Sequence, residues 1–266
     1  MIIKTNKRRE NKNPVNYSCY SDKTCSKIRE RTEVGSYVDT EEKEIILEKS
    51  KDFFKSRIVQ DHIKNTEKLK SINEFDVNPF IHKYISNFAF GDTEPENMAK
   101  ALLYPRVLGT SITTTFGNGM QQFCNEVLSS YASTTSGIDI EFIDAADGRK
   151  KYCQVKSGPK TINSNDVETI KSHFLGLIRL GRTNGLVVSP IDCVVGILYG
   201  EQDKISNNYK QIDRDYPVYA GRNFWYHLTG DISFYDDLAN AFAQAAEEMD
   251  CREILEEVIE ELSKSL

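Results

Sequence analysis

Histidine is scarce in this chain. The four, at 62, 82, 173 and 227, lie far apart, which leaves out a metal centre built on clustered histidines. The six cysteines, at 19, 25, 124, 153, 193 and 251, are scattered as well. Cys19 and Cys25 have no second pair at zinc-finger spacing, and several others sit inside apolar runs, so all read as reduced thiols. A phosphate-cradling P-loop and a dinucleotide fingerprint are both missing, which excludes the nucleotide-binding folds they mark. No apolar run approaches the length of a membrane span, and "MIIKTNKRRENKN" lacks the apolar core of a signal peptide. These absences lead to the expectation of a cytoplasmic protein with no membrane partner. Internal repeats and low-complexity tracts are absent too.

What is present is ordinary globular composition. Of 266 residues, 39% are hydrophobic and 28% charged, enough for one full core with a helical appendage. The net charge of −6 is unevenly spread: residues 1–31 carry +6, residues 231–266 carry −9, and the rest −3. An acidic total argues against a non-specific polyanion binder but allows a few basic groups gathered on one groove. The basic N-terminus reads as a solvated tail more readily than as an arm that grasps a polyanion.

The pattern divides the chain into an irregular basic lead-in (1–38), a helical region (39–105), a core (106–233) and C-terminal helices (234–266). Asp39 and Glu42 form a capping-box pattern ahead of a stripe of Ile45, Ile46, Phe53, Ile58, Val59 and Ile63. A second helical region is expected over Pro79–Leu103. "LGTSITTTFGNGMQQF" reads as a Gly/Thr loop entering a helix. Two β-type runs follow, 138–144 and 150–156, joined by the turn "AADGR". Asn165 with Glu168 opens another helix, and "NGLVVSP" and "DCVVGILYG" read as central strands. Asp250 with Glu253 restarts the last helix. The fold class is therefore α/β (α+β), a mixed central sheet flanked by helices, with helical additions at both ends.

Within "GIDIEFIDAADGRKKYCQVKSG", alternation sets Ile138, Ile140 and Phe142 on one face and Asp139 and Glu141 on the other. In the second run Tyr152, Gln154 and Lys156 share a face. If the runs pair, Asp139, Gln154 and Lys156 converge at a sheet edge. An acid, an amide and an amine there suit metal-assisted phosphodiester hydrolysis. Carboxylate, amide and carbonyl oxygens hold Mg2+, and a lysine orients water and offsets transition-state charge. By pattern alone the same alternation also describes a solvated hairpin.

The stretch resembles the split signature of the PD-(D/E)xK nucleases: an Asp, then fifteen residues on a (D/E/Q)-x-K triplet. "NPFIHKYI" (78–85), "TTTFGNGMQQF" (113–123), "VVGILYG" (194–200) and "VYAGRNFW" (218–225) further resemble the PmeII/EcoO-type family of type II restriction endonucleases. The likeness spans about residues 75 to 225. It implies a restriction-endonuclease-like core and tips the hairpin toward a site. It carries the family's aspartate onto Asp139 and its lysine onto Lys156. The usually acidic middle position is Gln154, whose amide can bind a metal but brings no charge. Metal ligands would be Asp139, Gln154 and the Val155 carbonyl. A second carboxylate would come from Glu141, on the polar face with Asp139, or from Glu126, with Gln122 near the site. Lys160, Asn163, Asn165 and Asn118 are the candidate DNA contacts, although Asn165 reads more readily as a helix cap. Gly117 and Gly119 either permit a tight turn or let backbone approach phosphate at a helix N-terminus. Trp225 reads as core.

The resemblance implies Mg2+-dependent cleavage of double-stranded DNA at a short, interrupted G/C-rich palindrome by a homodimer, with a cognate methyltransferase in the same system. Two rivals stand beside it: a structure-specific repair or recombination nuclease, and a DNA-binding protein with a decayed site. The acidic C-terminal helices are expected to face away from DNA and to join the core or the dimer interface.

Overall fold

The structure is a computed structural model that describes residues 39–249 and 251–266; the expected basic lead-in and Asp250 lie outside them. Helix α1 (Thr40–Phe53) starts where Asp39 accepts the Glu42 N–H at 2.8 Å. The expected box is one-sided, because the Glu42 carboxylate accepts the Tyr131 hydroxyl. A wide turn over Phe54–Val59 leads into α2 (Gln60–Glu67). Of the anticipated stripe, Ile46, Phe53 and Ile58 are buried while Ile45 is exposed.

The single helical region expected over 79–103 is two helices, α3 (His82–Phe90) and α4 (Pro95–Pro105). Gly91 ends α3 in the left-handed conformation, and Pro95 begins α4 with its ring already at a helical φ. A second wide turn, Arg106–Ser111, runs directly into α5 (Ile112–Glu126). This corrects the Gly/Thr loop: Gly117 and Gly119 lie inside α5, so neither forms a turn or a helix N-terminus open to phosphate. A Cβ on Gly119 would stand 2.6 Å from Ile58, so glycine there lets α5 pack closely on the Phe53/Ile58 stripe.

The sheet has the order β1 (Ile140–Ile143), β2 (Lys150–Lys156), β3 (Cys193–Ile197), β4 (Val218–Ala220). The first pair is antiparallel and the other two are parallel, so the sheet is mixed, as expected. Helix α6 (Ser164–Thr183) makes the crossover from β2 to β3, and α7 (Asn207–Asp213) that from β3 to β4. Helices α8 (Arg222–Thr229), α9 (Phe234–Glu247) and α10 (Arg252–Ser263) complete the described chain. "NGLVVSP" is not a strand. Gly185 turns the chain at φ 72°, Val187 is exposed, and β3 already has neighbours on both edges. The three-residue β4 was too short to register as an alternation.

Two apolar layers sandwich the sheet. Ile140, Phe142, Cys153 and Val155 pack against Phe123 of α5, Phe224 and Trp225 of α8 and Leu238 of α9. Val195 and Ile197 pack on the other side against Val167, Ile170 and Phe174 of α6 and Tyr209 of α7. Ile138 belongs to this second layer, not with Ile140, because the chain turns at Thr135–Ile138 before the strand begins. Trp225 is core: its Nε1–H donates to Leu198 O at 2.9 Å and its ring stacks on Phe234. A third cluster joins Val258, Ile259 and Leu262 of α10 to Ala99 and Leu103 of α4. The C-terminal stripe is thus buried in the chain's own core, α9 with the sheet and α10 with the N-terminal helices. Among the described residues, no helix is long and apolar enough to cross a membrane.

Gly221 holds the β4–α8 junction. At φ 53° and ψ −124° it occupies backbone space closed to other residues, its N–H donates to Ile197 O at 2.8 Å, and a Cβ would meet Gly200 O at 2.1 Å. Gly221→Ala should cost about 3 kcal/mol and lower the thermal midpoint by roughly 6–12 °C. An unchanged midpoint in a calorimetric scan would contradict this junction.

Candidate active site

The geometry begins where two strands part. Ladder pairing runs from Ile143↔Lys150 to Ile140↔Cys153, and the Asp139 N–H adds a last rung to Cys153 O at 2.9 Å. The chain then leaves the sheet at Ile138, while β2 continues to Lys156. Val155 is left with an N–H and no strand opposite it. The Asp139 Oδ2 atom takes that position and accepts the bond at 2.7 Å. A backbone donor that burial would otherwise penalise therefore fixes the carboxylate in the wedge between the strands.

Asp139, Val155 and Lys156 line one cleft of about 500 Å³, walled on the far side by Thr114, Phe116 and Asn118 of α5. Ser157 and Tyr199 add hydroxyls from the ends of β2 and β3. The floor is apolar, with Met120 and Cys124. Burial, reinforced by the Asp139 charge, pushes the Cys124 thiol up to about 12. Cys153, fully buried, is pushed up by the same two causes. Both thiols stay protonated at neutral pH, so neither is a nucleophile.

The other predicted residues are distributed differently. Gln154 is buried and in register with Val195, so it faces α6; its Nε2 lies 3.0 Å from His173 Nδ1. It does not line the cleft. Glu141 is held by Ser133 Oγ at 2.6 Å, Thr135 Oγ1 at 3.2 Å and Lys150 Nζ at 2.7 Å. Burial raises its pKa, but these partners together outweigh burial and hold the carboxyl below its usual range. It too is off the cleft, as is Glu126, which pairs with Arg57 at 3.2 Å. Asp139 is therefore the one carboxylate lining the cleft among the described residues.

Lys160 is exposed in the turn after β2. Asn163, not Asn165, caps α6: its Oδ1 accepts from the N–H groups of Asn165 and Asp166, and Asp166 accepts the Asn163 N–H in return. The box expected at Asn165 and Glu168 is displaced by two residues. Asn165 is exposed in the first turn.

Sequence reasoning missed a second groove of about 610 Å³, which shares Thr114 and Asn118 with the cleft. Arg57, Lys64, Lys68 and Arg106 line it with Gln122, against two acids, Asp61 and Glu74. The signal was available. Arg57, Asp61, Lys64 and Lys68 recur at helical spacing. It was masked because the acids of α1 cancel these bases in any sum over the segment.

The sequence profile of the family described as "Type II restriction endonuclease EcoO109I" matches residues 40–250, most of the chain. No curated protein matches it. The matched span starts at the first residue of α1 and includes both strands of the cleft, the helix that walls it and the basic groove. The chain belongs to the EcoO109I family of type II restriction endonucleases, which are site-specific deoxyribonucleases.

Proposed function

We propose that the chain hydrolyses double-stranded DNA in the cleft of Asp139 and Lys156, with Mg2+, as a homodimer in which each subunit cuts one strand. The target is a short, interrupted G/C-rich palindrome, and a cognate methyltransferase protects the host's own copies from this cytoplasmic enzyme. The observation that carries this reading is the Asp139 carboxylate, which accepts the Val155 N–H at 2.7 Å beside Lys156 in a cleft that shares Thr114 and Asn118 with a basic groove.

The donor set fits a hard cation. One carboxylate and several hydroxyls face the cleft, and no three His, Cys, Asp or Glu side chains are grouped to cage a metal among the described residues. Mg2+ needs no such cage, since it keeps waters and leans on substrate phosphate. Asp139 would hold it, with the Val155 carbonyl as a neighbouring oxygen. Once bound, the ion supplies positive charge against the scissile phosphate. Lys156 orients the attacking water and offsets the charge that builds on the phosphoryl oxygens. Gln154 serves as a positioning residue: its amide, donated to His173, fixes the end of β2 against α6 so that Lys156 keeps its direction. Arg57, Lys64, Lys68 and Arg106 take the DNA backbone, and Asn118 stands where groove and cleft meet.

Digestion of plasmid DNA by the purified protein tests the reading. Discrete bands that require Mg2+ support it; a smear, or no cleavage under any divalent cation, overturns it. Lys156→Ala should slow cleavage by about a hundredfold to ten-thousandfold and leave DNA affinity within a few-fold, because the lysine acts on the reaction and not on base edges. Cleavage within tenfold of wild type would remove Lys156 from the chemistry.

The groove makes a separate prediction. Lys64→Ala and Arg106→Ala should each weaken binding to every DNA sequence alike and flatten the salt dependence of affinity by about one unit of slope. A change in the sequence preferred, with the slope untouched, would turn these contacts from phosphate to base readers.

A further inference from the structure

Helix α3 is built inside out. Its buried positions are His82 and Ser86, small or polar groups satisfied by backbone: His82 Nε2 lies 2.9 Å from Met98 O, and Ser86 Oγ donates to Asp92 O at 2.9 Å. Its large apolar side chains point outward. Tyr84 is 66% exposed, Ile85 38% and Phe88 80%, and in the turn just before the helix Phe80 is 91% and Ile81 47% exposed. Tyr84, Ile85 and Phe88 share one helical face, and Phe80 and Ile81 stand in the turn at its N-terminal end. Tyr84 and Phe88 already touch, with ring centroids 5.9 Å apart. This face coincides with "NPFIHKYI", a stretch that neither the cleft nor the groove uses.

A single exposed apolar residue calls for no explanation, but a contiguous patch does. At roughly 200 Å² for each large side chain, these exposures leave on the order of 600 Å² of apolar surface in water. That matches the largest patches that monomers keep. Two such patches pressed together would remove about 1,200 Å² from water through these five residues alone, which reaches the size of a stable interface.

We infer that the α3 face is the surface on which two copies of this chain meet, in an antiparallel, twofold contact. The stripe is its own complement. Phe80 and Phe88 each stand four residues from Tyr84 in sequence, at opposite ends of the stripe, so a twofold axis near Tyr84 sets Phe80 of one copy against Phe88 of the other. Lys83 is the one charged residue between Phe80 and Gly91, so the contact buries no opposing charges at its centre and offers DNA no basic stripe. The inference extends the homodimer proposed above by naming its surface. The C-terminal helices, which sequence reasoning offered to either core or interface, are spent on the core.

The mass of the full chain in solution, by light scattering with neither DNA nor metal present, tests this apart from the nuclease reading. Wild type and the Lys156→Ala variant should both weigh two chains. Phe80→Glu combined with Phe88→Glu should raise the dissociation constant by about a hundredfold or more and give the mass of one chain that still unfolds in a single cooperative transition, with a midpoint that no longer depends on protein concentration. Tyr84→Cys, on a background with Cys19, Cys25 and Cys251 replaced by serine, should form a chain pair with a short bis-maleimide that the background alone does not form; this variant decides the matter if the double substitution fails to fold. A monomeric wild type, a dimer indifferent to the double substitution, or a Tyr84→Cys protein that does not cross-link would each overturn the inference.

Discussion

One hydrogen bond, from the Val155 N–H to the Asp139 carboxylate, connects the sheet to the cleft. Every strand pair must end, and the first donor beyond the end must find an acceptor or lose free energy. Here the acceptor is a side chain. Asp139 gives one oxygen to the backbone, and the other has no hydrogen-bond partner among the described residues. The wedge between β1 and β2 thus positions an anion without a helix, a turn or a second acid. Lys156 follows because β2 is gripped by β3, where the Lys156 carbonyl accepts the Leu198 N–H at 3.0 Å.

The far end of the hairpin is tied down just as firmly. Arg149 binds Asp192 through two bonds of 2.7 Å, which fastens the turn to the start of β3. Asp144, fully buried, meets His227 Nδ1 at 2.7 Å, and the His227 ring stacks on Tyr219 of β4. Burial favours the neutral form of Asp144, but His227, the Ala146 N–H and Lys151 together hold its carboxyl below the ordinary range. These contacts connect the β1–β2 hairpin to both parallel strands and to α8. The wedge then inherits the rigidity of the whole sheet. The acids of α10 are kept elsewhere: Lys70 engages Glu257 at 2.6 Å on the outside of the α10 cluster, and none of the α10 acids lines cleft or groove.

Sequence periodicity found the hairpin, the crossover helix and the central strand, because each buries a stripe whose period is visible in one dimension. It set Asp139 and Lys156 at a spacing that follows from the hairpin's own length, and both line the cleft. It misjudged Gln154, since alternation gives the face of a strand but not where the cleft lies relative to that face: the cleft is at the strand's end, reached by Lys156 and closed to Gln154. The glycines of α5 looked like a loop because glycine marks turns far more often than close helix packing. Sequence likewise gave no hint of α3's reversed polarity, since an apolar stripe is silent on whether it faces inward or out.

The central claim is that the Asp139 carboxylate both closes the sheet and serves the reaction. Asp139→Asn and Asp139→Ala, measured side by side for thermal unfolding and for DNA cleavage, test it most directly. Asparagine can still accept the Val155 N–H, so its stability should stay within about 1 kcal/mol of wild type while cleavage is lost for want of charge. Alanine should lose cleavage and about 1–3 kcal/mol of stability as well. An asparagine variant that cuts within tenfold of wild type, or an alanine variant as stable as the parent, would contradict the account.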